Sequence, residues 1–205
     1  MATLDSIRCN NKNLILVLCG PSGVGKTSMK IRLLNQRGDL KLVPSVTTRP
    51  KTSGDIGIAE YHHITYAEYE KLYENGELIS RKIQQFGFYY GIKISDISNT
   101  LSDGHDILLE TTLWGIEQLK KYFNNIISVF VSPPSLEELR RRLQKRNREN
   151  KEKITLRIDL AKQILDNFKR EMVDYHLINE DLQTSIDFVS RIIAQKKLEL
   201  SLIQV

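Results

Sequence analysis

Gly20-Pro21-Ser22-Gly23-Val24-Gly25-Lys26-Thr27 is the stretch from which the rest of this chain can be read. The octet has the spacing G-x-x-x-x-G-K-[ST], and its surroundings agree with it. Ahead of it, Leu14-Ile15-Leu16-Val17-Leu18-Cys19 is an apolar run of strand length, as expected of a strand covered on both faces of a parallel sheet. Behind it, Ser28-Met29-Lys30-Ile31-Arg32-Leu33-Leu34 carries apolar residues at helical spacing, so the loop should open a helix. The glycines let successive backbone N–H groups wrap an anion, and the helix N-terminus adds the positive end of its dipole. Lys26 is placed to reach terminal phosphates, and the Thr27 hydroxyl to ligate Mg²⁺. Residues 20–28 therefore predict a nucleoside triphosphate site, with Thr27 as its metal ligand.

Moving outward, strand and helix patterns alternate. The first strand, the loop and its helix take up residues 13–37, and Leu40-Lys41-Leu42-Val43 is a further strand. Strands are expected at 107–109, 126–131 and 176–178. Helices are expected at 115–122, 136–146, 154–173 and 182–198, the second opened by a capping box of Ser135 and Glu138. Residues 147–153 are polar and charged and read as a mobile loop. This alternation predicts an α/β fold with a parallel sheet covered by helices on both faces. Residues 45–100 interrupt it with short mixed signals, among them a helix at 67–75, an aromatic turn or strand edge at 87–91 and a short helix at 96–101. They read as an inserted acceptor-binding subdomain. The chain divides into a core (about 13–44, 101–135 and 158–198), this insert and a helical lid (about 136–157), with residues 1–12 as a frayed leader.

The 205 residues fit one domain, and 40% hydrophobic with 27% charged residues is the balance of a soluble globular chain. No apolar run reaches membrane-spanning length, and the first twelve residues lack the apolar centre of a signal peptide. Cys9 and Cys19 alone suit a reducing compartment, so a cytoplasmic location without a membrane partner is expected. The net charge of +5 raises nucleic acid as a partner. However, the eight basic residues from Arg140 to Lys153 have no aromatic among them. A solvated helix face, or arginines serving a small polyphosphate, both fit better. His62, His63, His105 and His176 lack metal-ligand spacing. Trp114 reads as core, or as a platform for an acceptor ring. A monomer and a homodimer fit equally well.

Further segments join the loop: Ser45-Val46-Thr47-Thr48-Arg49-Pro50, Tyr61-His62, Tyr89-Tyr90-Gly91, Pro133-Pro134-Ser135-Leu136-Glu137-Glu138-Leu139, Arg142-Leu143, Arg157 and Asn179-Glu180-Asp181-Leu182. In this order they resemble the guanylate kinase family of ATP-dependent nucleoside monophosphate kinases, over residues 14–194. The resemblance implies phosphoryl transfer from Mg·ATP to GMP or dGMP. It makes Arg49, Tyr61 and Tyr90 grips on the acceptor phosphate, suited to this by forked guanidinium and phenol donors. A second family arginine falls on Thr52, beside Lys51. Arg142, Arg146 and Arg157 match lid arginines that act with Lys26 on the transferring group. Asn179 matches a position near adenine, and Glu110 an acidic residue that organises Mg²⁺ or the arginines.

The acceptor-base positions are rewritten. The family's guanine-reading glutamate falls on Ser80, its second acidic reader on Thr112, and a Ser or Thr on Ile92, while Ser45 is kept. A charged acceptor contributes about 1.5–3 kcal/mol to such reading. Two alternatives to a guanylate kinase therefore stand: a kinase for another phosphorylated acceptor, such as a modified nucleotide or a sugar phosphate, and a non-catalytic binding module. The intact Lys26 and Thr27 disfavour the module.

Overall fold

A computed structural model describes residues 13–52, 61–85, 87–145 and 150–202. The leader 1–12, part of the turn-rich 51–57 stretch, residues 147–149 and Arg146 lie outside the described residues. Among those described, β1 (Ile15–Cys19), β2 (Leu40–Leu42), β7 (Asp106–Glu110), β8 (Ile126–Ser132) and β9 (Tyr175–Ile178) form one sheet in the order β2-β7-β1-β8-β9, every pair parallel. Its helices are α1 (Lys26–Gln36), α3 (Ile94–Ser102), α4 (Leu113–Tyr122), α5 (Leu136–Lys145), α6 (Lys151–Asp166) and α7 (Leu182–Leu202). A smaller sheet, β4-β3-β6-β5, is built from β3 (Ser45–Thr47), β4 (Tyr61–His63), β5 (Leu78–Ile79) and β6 (Tyr90–Lys93), with α2 (Tyr66–Glu74) beside it.

The uninterrupted apolar sequence of β1 has a direct cause. Leu14, Leu16 and Leu18 pack on one face of the sheet with Met29 and Leu33 of α1 and Ile186 and Val189 of α7. Ile15, Val17 and Cys19 pack on the other face with Ile97 and Leu101 of α3 and Ile116 and Leu119 of α4. Alternate side chains thus enter two different cores, and neither face tolerates a polar residue. The smaller sheet has a core of its own in Val46, Tyr69 and Leu78.

Two expected boundaries move. Residues 151–153, expected in a loop, already belong to α6, which begins at Lys151, where the Asn150 side chain accepts a hydrogen bond from the Lys153 N–H (3.0 Å). The helix expected to run to Val173 stops at Asp166. Beyond it Phe168 turns inward to stack on Phe130 at 3.9 Å, and Arg170–Met172 form a single 3₁₀ turn that delivers Val173 to the core. The capping box at Ser135 is half realised. Its hydroxyl accepts from the Glu138 N–H (3.1 Å), while the Glu138 carboxylate is held by Arg141 and Arg142.

The last helix is tied to the far edge of the sheet by charge. Lys197 lies 2.6 Å from Asp106 and 2.5 Å from Asp39. Asp106 is buried at the start of β7 and also accepts from the Leu14 N–H. No helix among the described residues is long and apolar enough to cross a membrane.

Candidate active site

The phosphate loop leaves the carboxyl end of β1 in a conformation only glycine holds comfortably. Gly20, Gly23 and Gly25 have φ values of 131°, 91° and 108°. A Cβ on Gly20 would stand 2.2 Å from the Val131 carbonyl oxygen of β8, so the loop is also pressed against the sheet. Lys26 opens α1 and is almost fully buried. Its ammonium donates to the Gly20 and Pro21 carbonyls (2.7 Å each) and lies 3.4 Å from Glu110 at the end of β7. Thr27 and Ser22 are exposed beside it, and Ser28 is half-buried.

Glu110 also accepts from Lys30 at 2.7 Å. Burial would raise the Glu110 pKa, yet the two ammonium groups outweigh it and hold the carboxyl below its usual range. Cys19, just before the loop, has only its burial to answer to in the main, and its thiol is pushed up to about 12.

Asn179, expected near the base of the nucleotide, has its side chain bonded to the loop itself. Its side chain is buried; the amide N–H donates to the Val24 carbonyl (2.7 Å), and the amide oxygen accepts from the Ser185 hydroxyl (2.9 Å). It still lines, with Gly25, Ser28, Arg141, Arg142 and Leu182, a groove of about 400 Å³ beside the loop. Arg142 reaches across the groove edge to donate to the Asn179 carbonyl (2.9 Å), while its Nε pairs with Glu138. Hydrogen bonds from Arg141 and Arg142 hold the Glu138 carboxyl down at about 2. Arg157, on α6, donates to the Ser22 hydroxyl of the phosphate loop (2.8 Å). Residues 135 apart in sequence thus meet over the loop.

The smaller sheet assembles the second cluster. The Arg49 guanidinium lies 5.3 Å over the Tyr61 ring, and Tyr61 meets Tyr90 edge-on with centroids 6.1 Å apart. The threonines ahead of Arg49 explain its placement. Thr47 donates to the Tyr89 carbonyl (3.1 Å) and accepts from the Arg49 N–H, while Thr48 accepts from the Tyr89 N–H (2.9 Å). His63 completes the support, with Nδ1 2.7 Å from the Arg49 carbonyl oxygen. Thr52 stands where a second arginine was looked for, 3.4 Å from the Arg49 guanidinium. Ser45 is half-buried at the start of β3, opposite Tyr61.

The side chains of the remaining acceptor-site candidates, Ser80, Thr112 and Ile92, are engaged within the protein. The Ser80 hydroxyl is occupied within the protein: it is bonded to the Tyr69 hydroxyl, donates to the Tyr90 carbonyl (2.8 Å) and accepts from the Lys82 N–H (3.1 Å). Thr112 caps α4, accepting from the Gly115 N–H (3.2 Å). Ile92 is buried among Ile79, Ile97 and Leu101, because alternation along β6 puts an apolar side chain between the two sheets at that position. Trp114 packs against the core, and the Arg81 guanidinium lies 5.8 Å over its ring. His62 and His63 lie on β4, and no group of metal-binding side chains occurs among the described residues.

Sequence reading missed Lys30. Its only signal was its position one turn beyond Lys26, within the apolar stripe of α1, where an unpaired ammonium is costly.

A parallel sheet, a glycine-bound phosphate loop at its carboxyl edge and arginines converging on that loop define a P-loop phosphotransferase. The guanylate kinase family model matches residues 12–196. A guanylate kinase of Wolbachia sp. subsp. Brugia malayi is 37% identical over 192 residues, covering 93% of this chain and 97% of its own. That of Oceanobacillus iheyensis is 32% identical, covering 92% and 90%. The crystal structure of guanylate kinase from Anaplasma phagocytophilum superposes with a TM-score of 0.68 at 28% identity, covering 90% of this chain and 86% of that one. The chain belongs to the guanylate kinase family.

Proposed function

We propose that this protein transfers the γ-phosphoryl group of Mg·ATP to the phosphate of GMP or dGMP, giving ADP and GDP or dGDP. The observation that carries the reading is the meeting of Lys26, Ser22 and Arg157 at one loop, within a chain whose relatives are guanylate kinases. The acceptor is already an anion, so no general base is required. Positioning and neutralisation of charge supply the rate.

In this reading the backbone of residues 20–28 cradles the donor phosphates, and Lys26 leaves its carbonyl partners for them. The adenosine half lies along the groove beside Arg142 and Asn179. Arg49, Tyr61 and Tyr90 orient the acceptor phosphate, with Ser45 beside them. Arg142, Arg157 and Arg146 neutralise the group in transfer as residues 136–157 close over it. Thr27 suits Mg²⁺: its hydroxyl is exposed in the first turn of α1, next to Lys26. Bound there, the ion would neutralise phosphate charge. We place the protein in the cytoplasm, with nucleotides rather than nucleic acid as its ligands.

Ser80 favours one qualification of substrate choice. With its hydroxyl committed to Tyr69, Tyr90 and Lys82, it offers guanine no charged acceptor, and selection among bases is relaxed. A coupled assay of ADP release with GMP, dGMP, AMP, UMP, CMP and sugar phosphates tests the reading. GMP is expected to turn over, with a narrower margin over other purine monophosphates than a site of roughly 10⁴–10⁵ discrimination would give. Turnover of another acceptor with none of GMP overturns it.

A further inference from the structure

Lys30 is 3% exposed, sits on the sheet-facing side of α1, and places its ammonium 2.7 Å from a Glu110 oxygen. The other Glu110 oxygen lies 3.4 Å from Lys26. One carboxylate is thereby shared by two lysines one helical turn apart, with the shorter contact going to the one that is not part of the phosphate loop. A buried ammonium is retained only where a carboxylate meets it, and the carboxylate is likewise costly to leave alone. These two facts bear on what happens when a nucleotide arrives. Lys26 has to give up its present partners, the Gly20 and Pro21 carbonyls and Glu110, to reach the phosphates. Departure from Glu110 would strand an anion at the end of β7, close to incoming phosphate of the same sign, unless a second cation stayed behind.

We propose that Lys30 is a positioning residue for phosphoryl transfer: it holds and neutralises the Glu110 carboxylate, so that Lys26 is free to pass to the donor phosphates. The inference rests on the reading above only in taking Mg·ATP as the donor; it needs no particular acceptor. In this arrangement Lys30 touches no substrate. It sets how tightly Glu110 competes for Lys26. Without it, Lys26 becomes the one ammonium at that carboxylate among the described residues, and nucleotide binding has to break a pair that the wild-type chain holds loosely.

The test is a double-mutant cycle on the full chain, with Mg·ATP affinity read by calorimetry. Lys30→Met keeps the length of the side chain and removes its charge. It should weaken Mg·ATP binding by about tenfold or more, the loss of one hydrogen bond to a charged group. In a Glu110→Gln background the same substitution should change Mg·ATP affinity by less than about twofold, since the anion it manages is gone. Lys30→Arg, which keeps the charge, should remain within a few-fold of wild type. A merely structural lysine would lower the folded fraction and the kcat that goes with it, leaving the affinity of the folded molecules unchanged. Unchanged affinity in Lys30→Met, or an equal loss with and without Glu110, overturns the proposal. Should Lys30→Met fail to fold, Lys30→Gln, which keeps a hydrogen-bond donor but no charge, takes its place in the cycle and decides by the same criteria. Failure of GMP turnover would refute the acceptor assignment and leave these binding measurements interpretable.

Discussion

Asn179→Ala separates two roles that one residue could fill. In the structure its buried amide joins the Val24 carbonyl of the phosphate loop to the Ser185 hydroxyl at the start of α7. Truncation removes both hydrogen bonds and leaves a buried carbonyl and a buried hydroxyl unmatched. At about 1 kcal/mol for each bond lost, and more for groups left unsatisfied, the cost is roughly 2–3 kcal/mol. For a chain of this length that lowers Tm by roughly 4–12 °C. The loop also loses the brace beneath Gly25, where a Cβ would come within 2.3 Å of the Asn179 amide nitrogen. Binding any triphosphate must then order the loop as well as fill it. Calorimetric titration with Mg·ATP and with Mg·tripolyphosphate, which has no base, should show both affinities falling by the same factor, about tenfold. Loss confined to ATP would mean that Asn179 reads adenine, and an unchanged Tm would mean that the brace carries no energy. Either result refutes the reasoning.

Further outcomes follow from the same geometry. Lys26→Ala should abolish turnover while circular dichroism shows the fold retained; measurable turnover would remove the loop from the mechanism. Arg49→Ala should raise KM for the acceptor at least about tenfold and leave KM for ATP within about twofold, and equal losses would contradict its place in the acceptor cluster. Asp174 reports on pH. Burial acts to raise its pKa, but hydrogen bonds from Ser128 and Lys120 outweigh it and hold the carboxyl below 3.8. Its contribution to stability is therefore present above about pH 4 and is lost as pH falls through the folded value. Asp174→Asn should flatten the acid limb of a stability–pH curve while leaving its slope near neutrality unchanged. An unaltered acid limb would show the group to be thermodynamically silent.

The parallel sheet and the phosphate loop were legible because each rests on a local rule: continuous apolar strands where both faces are covered, and glycines where the backbone turns around an anion. The arginine and tyrosine cluster was legible from the family motif, and the structure adds its cause in the Thr47 and Thr48 bonds to Tyr89. What stayed hidden depends on partners distant in sequence. The end of α6 at Asp166 is set by Phe130, more than thirty positions earlier, which takes Phe168 into its stack. Ile92 matched a site position by alignment, yet the strand's alternation turns it into the core. Asn179 and Ser80 are polar residues whose hydrogen bonds are spent inside the protein, and no sequence pattern distinguishes such a residue from one facing a ligand. Lys30 could be found only by asking what neutralises a charge in an apolar stripe.

The Lys197 bridge bears on where this domain can be cut. Likeness to the family ends at residue 196, yet the next residue carries the ammonium that meets Asp106 and Asp39. An expression boundary drawn at the end of the matched region would leave Asp106, at 2% exposure, beside the Leu14 N–H with no cation. Such a fragment would retain every motif of its family and unfold more readily than the longer chain. The working limit of the domain thus lies beyond the matched region, where Lys197 bridges to the edge of the sheet and Leu200 packs against the core.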